Sequence, residues 1–229
     1  MLQIYVLVDN RARQGFRSSW GLSILVEANG VKVLFDGDTD AETLCYNVER
    51  MGVSIEDVDF VFLSHWHRDH YGGLECLAEK AKGRRVKVYA PPGEKGVVER
   101  LGFQVEELPI ASNTRVGPGM WSVGPLEAWS NFYEHGLLVV EKTARVLIVG
   151  CSHPGVSVLA REASRVAGQP LTLVVGGFHA PRKEELVKLM DYTEKVAPLH
   201  CTGELAEQLL DTLYPHRLLK LAAGDVVRL

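Results

Sequence analysis

The sequence predicts an α/β protein in which two mixed β-sheets form a sandwich with helices outside. Three observations carry this. Short apolar, β-branched runs alternate along the chain with segments of helical periodicity, the order expected when helices cover sheets. The amino-terminal strands are joined closely enough to form hairpins, so the sheets are mixed and not purely parallel. With 229 residues and 46% hydrophobic composition, the chain can fill one good-sized core, and residues 1–229 are read as a single domain.

The elements follow in order. Strand-like runs cover 2–8, 22–28 and 32–36, the last two joined by Asn29-Gly30, a two-residue hairpin signal. A helix is predicted over 41–51, then a buried strand over 59–63. Residues 64–71 read as a loop, and after Gly72-Gly73 the positions Leu74, Leu77, Ala78 and Ala81 repeat as one helix face. The middle holds a strand at 86–90, a turn at Pro91-Pro92-Gly93, a short helix over 94–101 and irregular strands to about residue 133. A hairpin of 137–141 with 146–150 follows. Helix 155–166 opens after Pro154 and carries Val156, Leu159, Ala160, Ala163 and Val166 on one face. Strand 171–175, helix 182–195, strand 196–200, helix 204–213 and a closing strand complete the chain, with no linker or internal repeat.

Composition excludes several classes. A net charge of −4, from 25 basic and 29 acidic residues, gives no broad basic field, so nucleic acid is not an expected partner. The longest apolar runs, 146–149 and 171–175, fall far short of the about 20 residues of a membrane helix. The first residues do not read as a signal peptide, and a cytoplasmic location is expected. The four cysteines lack paired spacing, which argues against a disulfide framework; Cys45 and Cys76 read as small buried hydrophobes.

Five of the eight histidines, His65, His67, His153, His179 and His200, stand at or just after the end of an apolar strand-like run. Strand ends in α/β sheets line the crevice where ligands bind, so the pattern points to convergence on one centre. In the run FVFLSHWHRDH, His65 and His67 are two apart on an extended segment and point to the same side. Asp69 and His70 follow and face another way, placed to serve a second, neighbouring ion. Imidazole with carboxylate suits zinc first, with iron or manganese as alternatives.

HWHRDH resembles the HxHxDH signature of the metallo-β-lactamase superfamily, in the expected setting of strand before and helix after. The similarity extends through LFDGD at 34–38, GCSHPG at 150–155, GGFH at 176–179 and HCTGELA at 200–206. These features resemble the branch that includes the dihydropterin-forming synthase of methanopterin biosynthesis and related metal-dependent hydrolases. The resemblance implies a four-layer αβ/βα sandwich. It also implies a binuclear centre, with His65, His67 and His153 on one divalent ion and Asp69, His70 and His200 on the other. Asp36 is expected to accept a histidine N–H. Cys151 stands where much of the superfamily has a bridging aspartate.

The implied activity is hydrolysis of a small phosphorylated or ester-like metabolite, with Asp69 steering water and His179 handling a proton. A pterin-forming transferase that displaces diphosphate and a metal-binding or signalling protein without turnover are the alternatives. Arg11, Arg13 and Arg17 read equally well as a phosphate-holding loop and as a solvated basic loop. His135 is assigned no ligand role, and His216 is read as a surface residue. The oligomeric state is open.

Overall fold

A computed structural model describes residues 1–229. Its contacts divide the chain into two compact units, one of Met1–Leu108 with Ala222–Leu229 and one of Pro109–Leu221. Each is a mixed sheet with its own helices.

The first unit contains β1 (Gln3–Val8), β2 (Ser23–Ala28), β3 (Val31–Phe35), α1 (Ala41–Met51), β4 (Phe60–Phe62), α2 (Arg68–Tyr71), α3 (Glu75–Lys80), β5 (Lys87–Ala90), α4 (Gly96–Glu99) and β6 (Gln104–Glu107). With the carboxy-terminal strand Val226–Arg228 at one edge, β1 to β6 form a seven-stranded sheet in sequence order. The β1–β2–β3 meander is antiparallel; β3 to β6 run parallel. Asn29 (φ 55°) and Gly30 (φ 76°) supply the two positive dihedrals that the β2–β3 hairpin turn needs.

The side-chain period of two sorts this sheet into faces. Leu7, Leu25, Leu34, Val61 and Val88 pack with Leu44 and Val48 of α1 and Leu77 of α3. Ile4, Val6, Ile24, Val26, Val33, Phe35 and Phe62 alternate with them and are also buried. The α1 helix starts where Asp40 accepts from the Thr43 N–H at 2.8 Å and ends at left-handed Gly52.

Two expectations are corrected here. The segment after β4 is not all loop: Arg68–Tyr71 forms one helical turn, continued by a 3₁₀ turn at Gly72–Leu74. Backbone bonds from Gly37 N–H to His70 C=O and from Gly73 N–H to Asp38 C=O fasten this turn to the β3–α1 loop. The approach is close enough that a Cβ at Gly73 would lie 2.3 Å from the Gly37 carbonyl oxygen. Cys45 and Cys76 form a disulfide joining α1 to α3, with Cα atoms 5.6 Å apart. They lie 31 residues apart without a motif, so only the packing of the two helices makes them partners.

The second unit contains β7 (Thr114–Gly117), β8 (Met120–Trp129), β9 (Phe132–Glu141), β10 (Ala144–Val149), α5 (Val156–Ala167), β11 (Leu173–Gly177), α6 (Lys183–Leu189), β12 (Val196–Leu199) and α7 (Glu204–Leu213). Its six strands lie in the order β12-β11-β10-β9-β8-β7. The strands β10, β11 and β12 are parallel neighbours, so their carboxy-terminal ends lie side by side. Of the predicted face of α5, Val156, Leu159, Ala160 and Ala163 are buried with Leu186 and Leu189 of α6 and Ala206 and Leu210 of α7, and Val166 is half-buried at its edge.

Helix α6 stops six residues before the predicted end at 195. Backbone carbonyls beyond it are taken by tertiary partners. The Arg217 guanidinium bonds the carbonyls of Met190 (2.8 Å), Thr193 and Glu194 (2.9 Å), and Tyr192 C=O accepts from Leu171 N–H. No helix in either unit is long and apolar enough to cross a membrane.

Candidate metal centre

Each unit presents imidazoles near its strand ends, and in each a buried carboxylate holds one of the rings directly. In the first unit that carboxylate is Asp36, just past β3 and fully buried. Its Oδ1 accepts from the Ser64 backbone N–H at 2.7 Å. Its Oδ2 accepts from the Ser64 hydroxyl and from His70 Nδ1, each at 2.7 Å. With its proton committed to Asp36, the Ser64 oxygen can only accept from His65 Nδ1, 2.9 Å away.

Both rings therefore carry their proton on Nδ1 and present the Nε2 lone pair. This is the hydrogen-bonded arrangement that orients metal-ligating histidines. The expectation for Asp36 is met. Burial pushes its carboxyl above the ordinary value, opposed by the His70 ring and the Ser64 donors.

His65 and His67 do share a side: His65 Nε2 and His67 Nδ1 are 3.1 Å apart. Two nitrogens at zinc-ligand distance in a tetrahedral shell would lie about 3.3 Å apart, so the pair fits a common cation. Trp66, between them, turns the other way, donating to the Pro91 carbonyl at 2.7 Å and packing against the core of this unit. Asp69 and His70 sit on the turn α2, one helical step beyond, with the His70 ring centroid 4.1 Å from that of His65.

In the second unit the organising carboxylate is Glu134, fully buried on β9. It accepts from the backbone N–H groups of Cys151 (2.8 Å), Ser152 (2.7 Å) and His153 (2.8 Å), and from His153 Nδ1 at 2.7 Å. Burial alone would raise its pKa, but the bonds from His153 and the backbone outweigh it and hold the carboxyl below its ordinary value. His153 thus also offers Nε2. His200 opens a 3₁₀ turn at the end of β12 with φ 48°, and His179 follows β11 with φ 52°.

Around His153 stand three rings. Trp129 and Phe132 stack at 4.4 Å across the β8–β9 hairpin tip, edge-on to His153 at 5.0 and 5.2 Å. The third is His179, exposed and 4.4 Å away. Burial first, and then the nearby His153, lower the His179 pKa.

The remaining candidates have other surroundings. His135 is buried, with Nδ1 2.8 Å from the Ser122 hydroxyl, and His216 is exposed. Arg13 is paired with Asp225 at 2.7 Å, and Arg17 with Glu42 at 2.7 Å while lying over the Tyr46 ring.

Sequence reasoning missed Ser64 and the role of Glu134. The first hides beside a louder motif, and the second sits 19 residues from the histidine it orients.

The architecture matches a crystal structure described as Tm1679, a metal-dependent hydrolase of the beta-lactamase superfamily, with a TM-score of 0.83 and 25% identity, covering 100% of this chain and 99% of that one. The chain is a member of the metallo-β-lactamase superfamily.

Within that superfamily, a curated relative from Methanocaldococcus jannaschii is 26% identical over 99% of this chain and 96% of its own length. It is named 7,8-dihydropterin-6-methyl-4-(beta-D-ribofuranosyl)-aminobenzene-5'-phosphate synthase. A ribonuclease Z from Methanopyrus kandleri is 33% identical over 52% of this chain and 41% of its own. The family model for the anti-Pycsar protein Apyc1 matches residues 12–95, which include the HWHRDH run.

Proposed function

We propose that this metallo-β-lactamase superfamily member is a metal-dependent hydrolase of a small phosphorylated or ester-like metabolite. In this reading His65, His67 and His153 hold one divalent cation, and Asp69, His70 and His200 hold a second. Zinc is the first choice of metal and iron or manganese the next. The observation that carries the reading is tautomeric. Three imidazoles, His65, His70 and His153, have Nδ1 engaged by Ser64, Asp36 and Glu134, leaving Nε2 as the donor atom in each.

Two cations so held would supply acidified water at neutral pH and stabilise negative charge on a reacting oxygen. The chain's own groups do the rest. Asp36 and Glu134 fix the rings, and Asp69, on the turn α2, orients water. His179, exposed beside His153, handles a proton, and burial with the neighbouring ring shifts its pKa downward, favouring the neutral form.

One observation favours a second reading, a transferase acting on a pterin. The Trp129–Phe132 stack beside His153 is a flat aromatic step on which a heteroaromatic ring can lie. The relative named as a pterin-forming synthase matches along nearly the whole chain.

The test is metal analysis after mild purification, with turnover assays on phosphodiesters, lactones and pterin diphosphates. His67→Ala should remove metal and turnover together. Activity that survives in metal-free protein overturns the mechanism. Trp129→Ala should raise KM for pterin substrates selectively if the second reading holds. Retained metal with no turnover on the whole panel would favour a binding role.

A further inference from the structure

The second unit carries three metal-binding side chains that are not among the six ligands of the proposed centre. Cys151, His179 and Cys201 bring two sulfurs and a ring nitrogen within 4.8 Å of one another. Each follows a different strand, β10, β11 or β12, and these are parallel neighbours paired through Val149 with Gly176 and Gly177 with Leu199. The convergence is thus a product of sheet register, which sets three adjacent strand ends side by side.

The local backbone is shaped to make room for it. A Cβ on Gly177 would lie 2.8 Å from Cys201 Sγ, 2.4 Å from the Gly150 carbonyl oxygen and 3.3 Å from Cys151 Cα. Only glycine lets the strand pass between the two cysteines. Three residues beside or within the set, Ser152, His179 and His200, hold positive φ values of 63°, 52° and 48°. That conformation costs energy in a residue with a side chain and clusters where side-chain placement matters. Ser152 is pinned there by its hydroxyl bond to Gly177 C=O at 2.7 Å, and Ala180 N–H bonds the Cys201 carbonyl at 3.0 Å. The second pair of cysteines in the chain is consumed by the Cys45–Cys76 disulfide, and Cys151 and Cys201 are not disulfide-bonded.

Two thiolates and an imidazole are the donors that soft or borderline cations prefer over carboxylate and water. Tetrahedral zinc–sulfur geometry sets sulfurs about 3.7 Å apart, within side-chain adjustment of the spacing here. Three protein donors leave one position for water or an exogenous ligand.

We infer that Cys151, His179 and Cys201 form a sulfur-containing cation site, suited to Zn²⁺, in addition to the imidazole–carboxylate donors of the proposed centre. His179 serves the cation when this site is filled and proton transfer when it is not.

The test uses the full-length chain, stripped of metal by chelation and titrated with Co²⁺ alone. Wild type should develop thiolate-to-cobalt charge-transfer absorption in the near ultraviolet. His67→Ala should retain the band, and because Cys151 stands at the superfamily's bridging position, dependence of the band on Cys201 is what separates this site from the imidazole centre. Cys201→Ser and Cys151→Ser should each lose it.

A second measurement needs no variant. Alkylation of Cys201 by iodoacetamide, located by peptide mass, should slow roughly a hundredfold in Zn²⁺ at a hundred times Kd. Absence of the band from wild type, its survival in Cys201→Ser with loss only in Cys151→Ser, or an alkylation rate indifferent to Zn²⁺ would each overturn the inference.

Discussion

Asp36 and Glu134 are both fully buried carboxylates that hold a histidine Nδ1 at 2.7 Å, yet their pKa values move in opposite directions. The difference lies in what else they accept. Glu134 takes three backbone N–H groups, which solvate its charge, whereas Asp36 takes one, with a hydroxyl beside it. Asp36 is therefore the more fragile support. Asp36→Asn should weaken metal affinity by about 10- to 100-fold, because the partner that sets ring tautomer and basicity is degraded. A competition titration with a chromophoric chelator measures this, and unchanged affinity would remove Asp36 from the account.

Two residues along, burial pushes the Asp38 carboxyl up to about 6, only partly offset by Thr39 and Ser19. The folded state then holds a proton that the unfolded chain releases near its ordinary carboxylate pKa. Stability falls as pH rises between about 4 and 6, by up to about 3 kcal/mol from this group. Thermal melts of wild type and Asp38→Asn should diverge across that window, the variant gaining on wild type as pH rises. Parallel curves would show that Asp38 titrates normally.

Among the elements, the helices of the first unit depend on a covalent tie that no pattern announces. The Cys45–Cys76 bridge closes a loop of about 31 residues between α1 and α3, which by loop-entropy reasoning is worth about 3–4 kcal/mol. Cys45→Ser with Cys76→Ser should lower the denaturant midpoint by a matching amount, and wild type with reductant should approach the double variant. No change in the midpoint would mean the bridge does not form in solution.

The turn α2 shows how neighbouring elements decide local form. Residues 64–71 read as a loop, but bonds from Gly37 and Gly73 to the turn and the β3–α1 loop wind residues 68–71 into a helix. Gly72-Gly73, legible only as a break, are there because the adjacent loop presses on their Cα atoms.

For the molecule as a whole, the proposed centre links metal to stability. A cation that binds only the folded chain stabilises it by mass action. The melting temperature should rise with free Zn²⁺, and chelator should lower it. His67→Ala should respond to Zn²⁺ much less than wild type. Equal responses in the two proteins would argue against His67 as a ligand.

The sequence by itself determined the α/β class, most strand and helix positions, and the residues HWHRDH, His153 and His200 as the donors worth following. Those rest on local signals, namely side-chain period, turn chemistry and the rarity of histidine at strand ends. The tertiary structure alone decided that Ser64 and Glu134 set ring tautomers, that Cys45 meets Cys76, and that Cys151 and Cys201 come together with His179. These are pairings between residues distant in the chain, and such pairings are fixed by sheet register and helix packing, which leave no periodic trace in the order of residues.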